Sequence, residues 1–259
     1  MKINYIAKKC WCGEVKTSSF YQGNWYGYGQ SYYTKLGKCL TCNTIRTLYC
    51  SSKSDLEYSD TKIYDSLSLR QTNSLKTLIN YLQPSNLIEI GCGNGILLNE
   101  IKKIKNIDVY GIDLNEKSVK SKIYKNIRIE YKKLGEVIET FDNFLALHVL
   151  EHIPDLKTFF KEMQTILNDG AVVYITSPNI LSFNAKKNIA RWGGLNPTQH
   201  TWHLSKKTFS MLAKYFLPNS EIKYLKTSWI WPSHYVPKQQ IKSILFQGDQ
   251  FEAIIKYKK

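Results

Sequence analysis

Residues 87–98 read LIEIGCGNGILL, an apolar run interrupted at alternate positions by Gly91, Gly93 and Gly95. Glycine weakens regular structure unless the backbone needs a conformation or a close approach that a side chain would forbid. An apolar strand, a glycine turn and a second apolar segment predict the strand–turn–helix unit that holds a nucleotide-like ligand against its backbone. The alternative is a turn that only packs the helix closely against the strand.

The spacing of these glycines indicates which ligand the turn would bind. A dinucleotide-binding turn has the pattern G-x-G-x-x-G and places a diphosphate at the helix N-terminus. Here the third glycine comes one position earlier, and Glu89 lies two positions before the first. A carboxylate at that point repels phosphate but can accept a hydrogen bond from an ammonium group. The pattern therefore favours a cofactor that has an amino-acid tail.

From about residue 64 onward the chain alternates helical and extended apolar patterns. The patterns predict helices at 66–82, 96–105, 115–126, 155–167 and 205–216. They predict strands at 87–90, 109–114, 127–132, 171–178, 221–230 and 248–259, with another inside 141–150. Such alternation is typical of an α/β fold with a doubly wound parallel sheet, in which ligands bind beyond the carboxyl ends of the strands.

Asp113 ends the second of these predicted strands. A carboxylate at the end of a second strand can accept hydrogen bonds from the two hydroxyls of an adenosine ribose. The alternative is that Asp113 caps the N-terminus of the helix that follows. Because enzymes that bind dinucleotides also use an acid here, Asp113 alone does not identify the cofactor.

The composition is that of a chain with a sizeable core. Hydrophobic residues make up 43% of its 259 residues, and no apolar run reaches the ~18 residues of a membrane helix. The N-terminus, MKINYIAKKC, lacks a signal-peptide pattern, so we expect a cytoplasmic protein.

The formal charge of +15 predicts an anionic small-molecule partner. The sequence has no Arg-rich tract or nucleic-acid module, which disfavours nucleic acid.

Two cysteine pairs, Cys10-x-Cys12 and Cys39-x-x-Cys42, are separated by 26 residues. In a cytosolic chain, paired cysteines suggest a metal site before a disulfide. Four thiolates can form a closed tetrahedral zinc site of the structural type. The alternative is a set of buried free thiols.

The region that carries these pairs, residues 1–60, differs in composition from the rest of the chain. It is poor in aliphatic residues and contains the aromatic stretch YQGNWYGYGQSYY at 21–33. We expect residues 1–60 to form a small zinc-binding module and residues 61–259 to form the α/β domain. The stretch 21–33 is expected to be a loop, which either lies over the substrate or fills the small core of the module.

Three motifs in this order resemble those of the class I S-adenosylmethionine-dependent methyltransferases: LIEIGCGNG (87–95), VYGIDL (109–114) and FDNFLALHVLEHIPD (141–155). The resemblance covers residues 64–259. It implies S-adenosylmethionine as the cofactor and a Rossmann-like seven-stranded sheet with a reversed final strand. It also implies these cofactor contacts: Glu89, Gly91, Gly93, Gly95, Asp113, Leu114, Leu147 and His148.

Histidines are the candidate proton acceptors, because the pKa of histidine lies near neutrality. His200 and His203 lie in a long predicted loop, and His152 follows the fourth strand. In sugar methyltransferases that the chain resembles, a histidine two residues before a helix-starting serine is the proposed base, and His203 in WHLS matches it. We therefore predict His203 as the base, assisted by His200 and His152. The alternatives are that His203 caps the next helix and that His152 stabilises the turn after the fourth strand.

The cysteine arrangement resembles the zinc-binding module that precedes some sugar methyltransferases. We therefore predict O-methylation of a sugar, a nucleotide-activated sugar or a phosphate- or phosphoramidate-type intermediate in capsule or other surface-glycan biosynthesis. One alternative is methylation of RNA or of a quinone-type small aromatic. Another is an inactive cofactor-binding partner subunit. The oligomeric state stays undetermined by the sequence.

Overall fold

The computed structural model describes residues 8–27, 29–51, 66–122, 124–225 and 248–259. The boundary expected between residues 60 and 61 lies outside these ranges, as do the last five residues of the strand predicted at 221–230. No helix in the described ranges is long and apolar enough to cross a membrane.

The strands of the described part form two sheets. In chain order they are β1 (Thr17–Gly27), β2 (Gln30–Cys39), β3 (Ile45–Cys50), β4 (Leu87–Ile90), β5 (Val109–Asp113), β6 (Arg128–Tyr131), β7 (Phe141–Leu147), β8 (Leu167–Pro178), β9 (Trp202–His203), β10 (Glu221–Tyr224) and β11 (Gln250–Lys256). The N-terminal sheet has the order β1-β2-β3-β9, and the central sheet has the order β10-β11-β8-β7-β4-β5-β6.

The central sheet is mostly parallel. Strand β4 pairs in parallel with β5 and β7, while β5 pairs in parallel with β6 and β7 with β8. Strand β11 is antiparallel to β8, and β10 is antiparallel to β11. The predicted α/β fold with a mostly parallel sheet is confirmed. Because β4, β5 and β7 run in the same direction, their carboxyl ends meet at one edge of the sheet.

In the described ranges, six α-helices connect or follow these strands. They are α1 (Leu69–Leu78), α2 (Ile96–Ile104), α3 (Glu116–Lys120), α4 (Leu156–Thr165), α5 (Phe183–Lys187) and α6 (Lys206–Phe216). Helix α3 is much shorter than the helix predicted at 115–126. It ends at a cap residue, Ser121, whose hydroxyl donates to Ser118 O at 2.7 Å. Such local side-chain bonds compete with helix propagation.

The aromatic stretch 21–33 is not a loop, and that expectation is wrong. Its described residues belong to the hairpin of β1 and β2, in which Trp25 lies opposite Tyr32. Both rings are buried, and as directly opposite residues of paired strands they lie on the same face of the hairpin. Trp25 donates its indole N–H to Trp192 O at 3.0 Å. The aromatic residues that are buried therefore fill a core shared with residues of the second half of the chain.

The N-terminal sheet is joined to the rest of the chain by β9. Ile45 and Arg46 of β3 pair with His203 and Trp202, respectively. Trp11 also packs against the two aromatic residues at the end of α6, with ring centroids 5.6 and 6.2 Å away. The two sheets consequently share buried surface, and the histidine-bearing strand is the fourth strand of the N-terminal sheet.

Candidate functional site

The glycine turn lies between β4 and α2, at the carboxyl edge of the central sheet. Gly91, Gly93 and Gly95 have φ values of +71°, +57° and +79°, in the left-handed region. A Cβ on Gly95 would lie 2.6 Å from Ile127 Cδ1, so a side chain there would force Ile127 to move. A Cβ on Gly93 would meet no atom within 4 Å. Gly93 therefore borders open space in which a ligand can lie against the backbone.

Glu89 lies on β4 just before this turn and is 4% exposed. Its Oε2 atom has no hydrogen-bond partner among the described residues. Burial, with a smaller effect from the nearby charge of Asp113, raises the pKa of Glu89 to about 8. A buried acceptor without a partner is costly unless a ligand supplies the donor. Glu89 therefore fits a cofactor that carries an ammonium group.

Asp113 ends β5 beside the turn. One of its carboxylate oxygens accepts the N–H of Gly93 at 2.8 Å, and the other accepts the N–H of Asn115 at 2.7 Å. Asn115, rather than Asp113, is the N-cap of α3. Burial raises the pKa of Asp113 above its ordinary value. Because a carboxylate has about four acceptor sites, Asp113 can hold the turn and still accept hydroxyl groups of a ligand.

The end of β7 carries His148, a non-glycine residue with φ of +57°. Its Nδ1 lies 3.1 Å from Glu151 Oε1, and its Nε2 lies 2.9 Å from Gln250 Oε1. The second oxygen of Glu151 accepts the hydroxyl of Ser177 at 3.0 Å. Glu151 is buried, which by itself raises a carboxyl pKa, but the bond from His148 and the nearby histidines hold its pKa below the usual range. Glu151 thus orients His148.

His200 and His152 stack edge to face, with ring centroids 4.7 Å apart. His200 Nδ1 lies 3.1 Å from Gly194 O, so it carries the proton. Burial lowers the pKa of His200, so its ring is neutral. Atoms of Glu151, His152 and His200 lie close enough to share a cation. Because Glu151 already bonds to His148 and Ser177, and His200 to the carbonyl of Gly194, we interpret the group as a polar cluster that orients its members.

His203 lies on β9 and is 3% exposed. Its Nε2 is 2.9 Å from the hydroxyl oxygen of Thr47 on β3. Its Nδ1 is buried and has no hydrogen-bond partner in the described part of the chain. Burial lowers the pKa of His203 to about 3, so the imidazole is neutral at physiological pH. Its centroid lies 6.4 Å from that of His200.

The four predicted metal ligands converge. The Sγ atoms of Cys10 and Cys42 are 3.4 Å apart, those of Cys12 and Cys39 are 3.6 Å apart, and all four lie within 4.8 Å of one another. These distances exceed a disulfide bond and approach the roughly 3.8 Å between thiolates around tetrahedral zinc. Burial raises the pKa of Cys12 to about 11. A bound dication would offset that cost, so the donor set fits zinc.

The methyltransferase-domain family matches residues 68–216, more than half of the chain. The chain belongs to this family. The match contains the glycine turn, Asp113 and the three histidines His152, His200 and His203. The predicted resemblance to methyltransferases is thereby confirmed at the level of the family.

Solved methyltransferase structures share the fold. The plantazolicin methyltransferase BpumL in complex with SAH has a TM-score of 0.56 at 16% identity, over 73% of this chain and 84% of that one. A Thermotoga maritima methyltransferase has the same TM-score and identity, over 73% and 89%. At these identities the likeness concerns the Rossmann-like fold of the methyltransferase domain.

Curated relatives match a shorter region. The human mitochondrial ubiquinone biosynthesis O-methyltransferase is 32% identical over 126 residues, which are 41% of this chain and 34% of the relative. The Sinorhizobium medicae ubiquinone biosynthesis O-methyltransferase is 27% identical over 126 residues, 43% of this chain and 50% of the relative. The match thus spans half or less of these relatives.

The methyltransferase domain brings most predicted site residues to one edge of its sheet. Leu147 ends β7 and is half-buried, whereas Leu114 follows β5 and is 58% exposed. Three partners of site residues carry no signal in the sequence, namely Thr47, Ser177 and Gln250. None stands in a motif, and each lies on a strand distant in sequence from the side chain that it contacts. Only strand pairing could have identified them.

Proposed function

We propose that this protein transfers a methyl group from S-adenosylmethionine to a hydroxyl oxygen of a small molecule. The observation that carries the proposal is the glycine turn with the buried, unpartnered Glu89 Oε2 beside it. An ammonium group would donate to this oxygen and favour the ionised carboxylate, whereas a nucleotide diphosphate offers it no donor. Membership of the methyltransferase family supports the same cofactor.

The described residues have distinct roles in this proposal. Glu89 accepts the cofactor ammonium group, directly or through water, and Asp113 accepts the ribose hydroxyls. Gly93 lets the cofactor approach the backbone, which side chains would prevent. The remaining predicted contacts to the cofactor are Gly91, Gly95, Leu114, Leu147 and His148.

His203 is the proposed general base, with His200 and His152 assisting by orientation. When bound, the cofactor supplies a sulfonium methyl group. The acceptor oxygen would bond to that carbon, and the electrons of the broken sulfur–carbon bond would stay on the sulfur. The acceptor proton passes to Nδ1 of His203, so the products are the methyl ether, S-adenosylhomocysteine and an imidazolium that returns its proton to solvent. A positioned base typically contributes about 10²–10⁴-fold to such a step.

A phenolic hydroxyl, as in a quinone precursor, is the acceptor that we favour over a sugar hydroxyl. The names of the curated relatives support this choice. The pKa of His203, lowered to about 3, supports it as well. Such a weak base removes a proton more readily from a phenol, with a pKa of about 10, than from an alcohol whose acidity is nearer that of water, about 15.7. The sugar hydroxyl stays the second candidate, because of the cysteine arrangement.

The acceptor assay separates these candidates. With methyl-labelled S-adenosylmethionine, we expect kcat/KM for a polyhydroxylated benzoate or catechol to exceed that for a nucleotide-activated hexose by at least about tenfold, or 1.4 kcal/mol. A transcript of unrelated RNA serves as the third substrate. Methyl label in the hexose with none in the phenols would refute the phenolic assignment. Label in the RNA would refute both small-molecule assignments, the phenol and the sugar.

We further propose one structural zinc ion, held by Cys10, Cys12, Cys39 and Cys42, in an N-terminal module of residues 1–60 that precedes the methyltransferase domain. The support is the convergence of four sulfur atoms. Thr44 Oγ1 lies 3.3 Å from Cys42 Sγ, to which its hydroxyl can donate when the sulfur is a thiolate, and it accepts the indole N–H of Trp11 at 2.9 Å, so oriented polar groups surround the cluster. Such outer partners fix the orientation of metal ligands.

Metal analysis of the protein purified without added zinc tests this site. We expect about one zinc per chain in the wild type, because four thiolates close a tetrahedral structural site. Cys39→Ser should lose the metal and unfold at lower denaturant concentration. Cys50→Ser, in the same sheet but outside the cluster, is the matched control and should keep the metal. A wild-type protein without zinc would exclude the proposal.

A further inference from the structure

Thr47 belongs to the N-terminal sheet, yet it touches the histidine segment, residues 200–203, through three bonds. Its backbone N–H donates to Thr201 O at 3.0 Å. Its hydroxyl oxygen lies 2.7 Å from His200 O and 2.9 Å from His203 Nε2. Thr47, His200 and His203 are 1%, 7% and 3% exposed, so water does not compete for these bonds.

The chemistry of these groups decides where the protons lie. A backbone carbonyl oxygen only accepts, so the single hydroxyl proton of Thr47 is donated to His200 O. The hydroxyl oxygen then has only lone pairs to offer to His203, so Nε2 of His203 carries the proton and donates it. A neutral imidazole has one N–H. Nδ1 of His203 is consequently the unprotonated nitrogen, and it is the atom without a hydrogen-bond partner in the described ranges.

We propose that Thr47 is a positioning residue that fixes the tautomer and ring orientation of His203, so that Nδ1 is the nitrogen whose lone pair can accept a proton. The inference rests on the proposed function, because it assumes that His203 is the base. It assigns to the N-terminal module a direct part in the chemistry of the methyltransferase domain, through the pairing of β3 with β9.

Hydrogen bonds of the neighbouring residues hold Thr47 in place. Its neighbour Arg46 is buried and donates to Val15 O at 2.9 Å. On the other side of the pairing, Trp202 donates its indole N–H to Ile153 O at 2.7 Å, and Thr201 N donates to Glu151 O at 2.8 Å. Both strands that meet at Thr47 are therefore held by hydrogen bonds of the buried side chains Arg46 and Trp202, which leaves the His203 ring little freedom to turn.

The tautomer is measured first, by nitrogen-15 NMR of the imidazoles in the wild-type protein. We expect the His203 Nε2 resonance in the range of a protonated nitrogen and its Nδ1 resonance in the range of an unprotonated one. The opposite assignment would overturn the inference. This measurement needs no acceptor, so its result is independent of whether the proposed methyl transfer is correct.

Two variants then test positioning by kinetics. Thr47→Val keeps the shape but removes the hydroxyl, and we expect kcat to fall at least about tenfold with little change in KM, within the ~10²–10⁴-fold that a base contributes. Thr47→Ser keeps the hydroxyl and should restore kcat to within about threefold, less than 1 kcal/mol. Full activity in Thr47→Val, or equal losses in both variants, would overturn the inference.

Thr34→Val is the matched control. Thr34 is buried on the neighbouring strand β2 and donates its hydroxyl to Tyr49 O at 2.8 Å, without touching a histidine. It should lose similar stability and keep both kcat and the His203 tautomer. If Thr34→Val lowers kcat as much as Thr47→Val does, the effect is a general one of the sheet and the inference fails. If wild-type turnover proves independent of His203, the proposed base fails, whereas the tautomer still reports on Thr47.

Discussion

His203→Gln is expected to lower kcat by about 10²–10⁴-fold, the contribution of a positioned general base. The glutamine amide can still donate to the hydroxyl of Thr47 in place of Nε2. Glutamine has no basic nitrogen in place of Nδ1, so it cannot accept the proton of the methyl acceptor. The dissociation constant of S-adenosylmethionine, measured by calorimetric titration, should stay within about threefold of the wild-type value, or less than 1 kcal/mol.

Variants of the other two histidines provide the comparison. His152→Gln and His200→Gln change the ring pair beside the base and should lower kcat by about tenfold, 1.4 kcal/mol, because they only assist by orientation. The unfolding free energy of each variant separates a folding defect from a catalytic one. Turnover of His203→Gln within threefold of wild type would eliminate His203 as the base, and a larger loss in His152→Gln would move that role to His152.

Gly93→Leu should weaken S-adenosylmethionine binding by about tenfold to a hundredfold. Gly93 has φ of +57° and borders open space, so its new side chain would enter the region assigned to the cofactor. Inserting bulk into an occupied site typically costs about 1–3 kcal/mol. The left-handed backbone conformation costs a non-glycine residue roughly 1–2 kcal/mol more, and this cost lowers the free energy of unfolding rather than the cofactor affinity. Calorimetric titration measures the first effect and urea unfolding the second.

Gly170→Leu is the matched control for this substitution. Gly170 has φ of +81°, and a Cβ there would also meet no atom within 4 Å. It lies in the first half of β8, towards the end of the sheet opposite the glycine turn. The backbone cost should therefore be similar, while cofactor affinity should not change. Equal affinities in the two variants would mean that the cofactor lies elsewhere.

The alternation of strands and helices, and with it the mostly parallel sheet, followed from patterns that are local in sequence. Leu87–Ile90 is buried on every residue, as expected of a strand covered on both faces, and helix α2 follows at the predicted place. Helix lengths were predicted less well. α3 ends at Lys120, and the hydroxyl of its cap residue Ser121 bonds to the backbone of Ser118, an effect that apolar periodicity does not register.

The aromatic stretch 21–33 shows a different reason for error. Its glycines and tyrosines indicated a loop, but Trp25 and Tyr32 pair across a hairpin and pack against Trp192. The burial that stabilises this hairpin comes from residues about 160 positions further along the chain. Strand propensity depends on such neighbours more than helix propensity does, so the segment could not be interpreted alone.

The amino-acid sequence by itself determined the strand–turn–helix unit around residues 87–98, because the spacing of Glu89 and the glycines is a property of adjacent residues. It also placed four cysteines in two pairs, although their convergence needed the fold. Tertiary structure alone decided which atom of His203 is free to accept a proton. Its partner Thr47 lies 156 residues away and reaches it only because β9 joins the N-terminal sheet. A hydrogen bond between distant strands fixes a tautomer, and no pattern along the chain records such a bond.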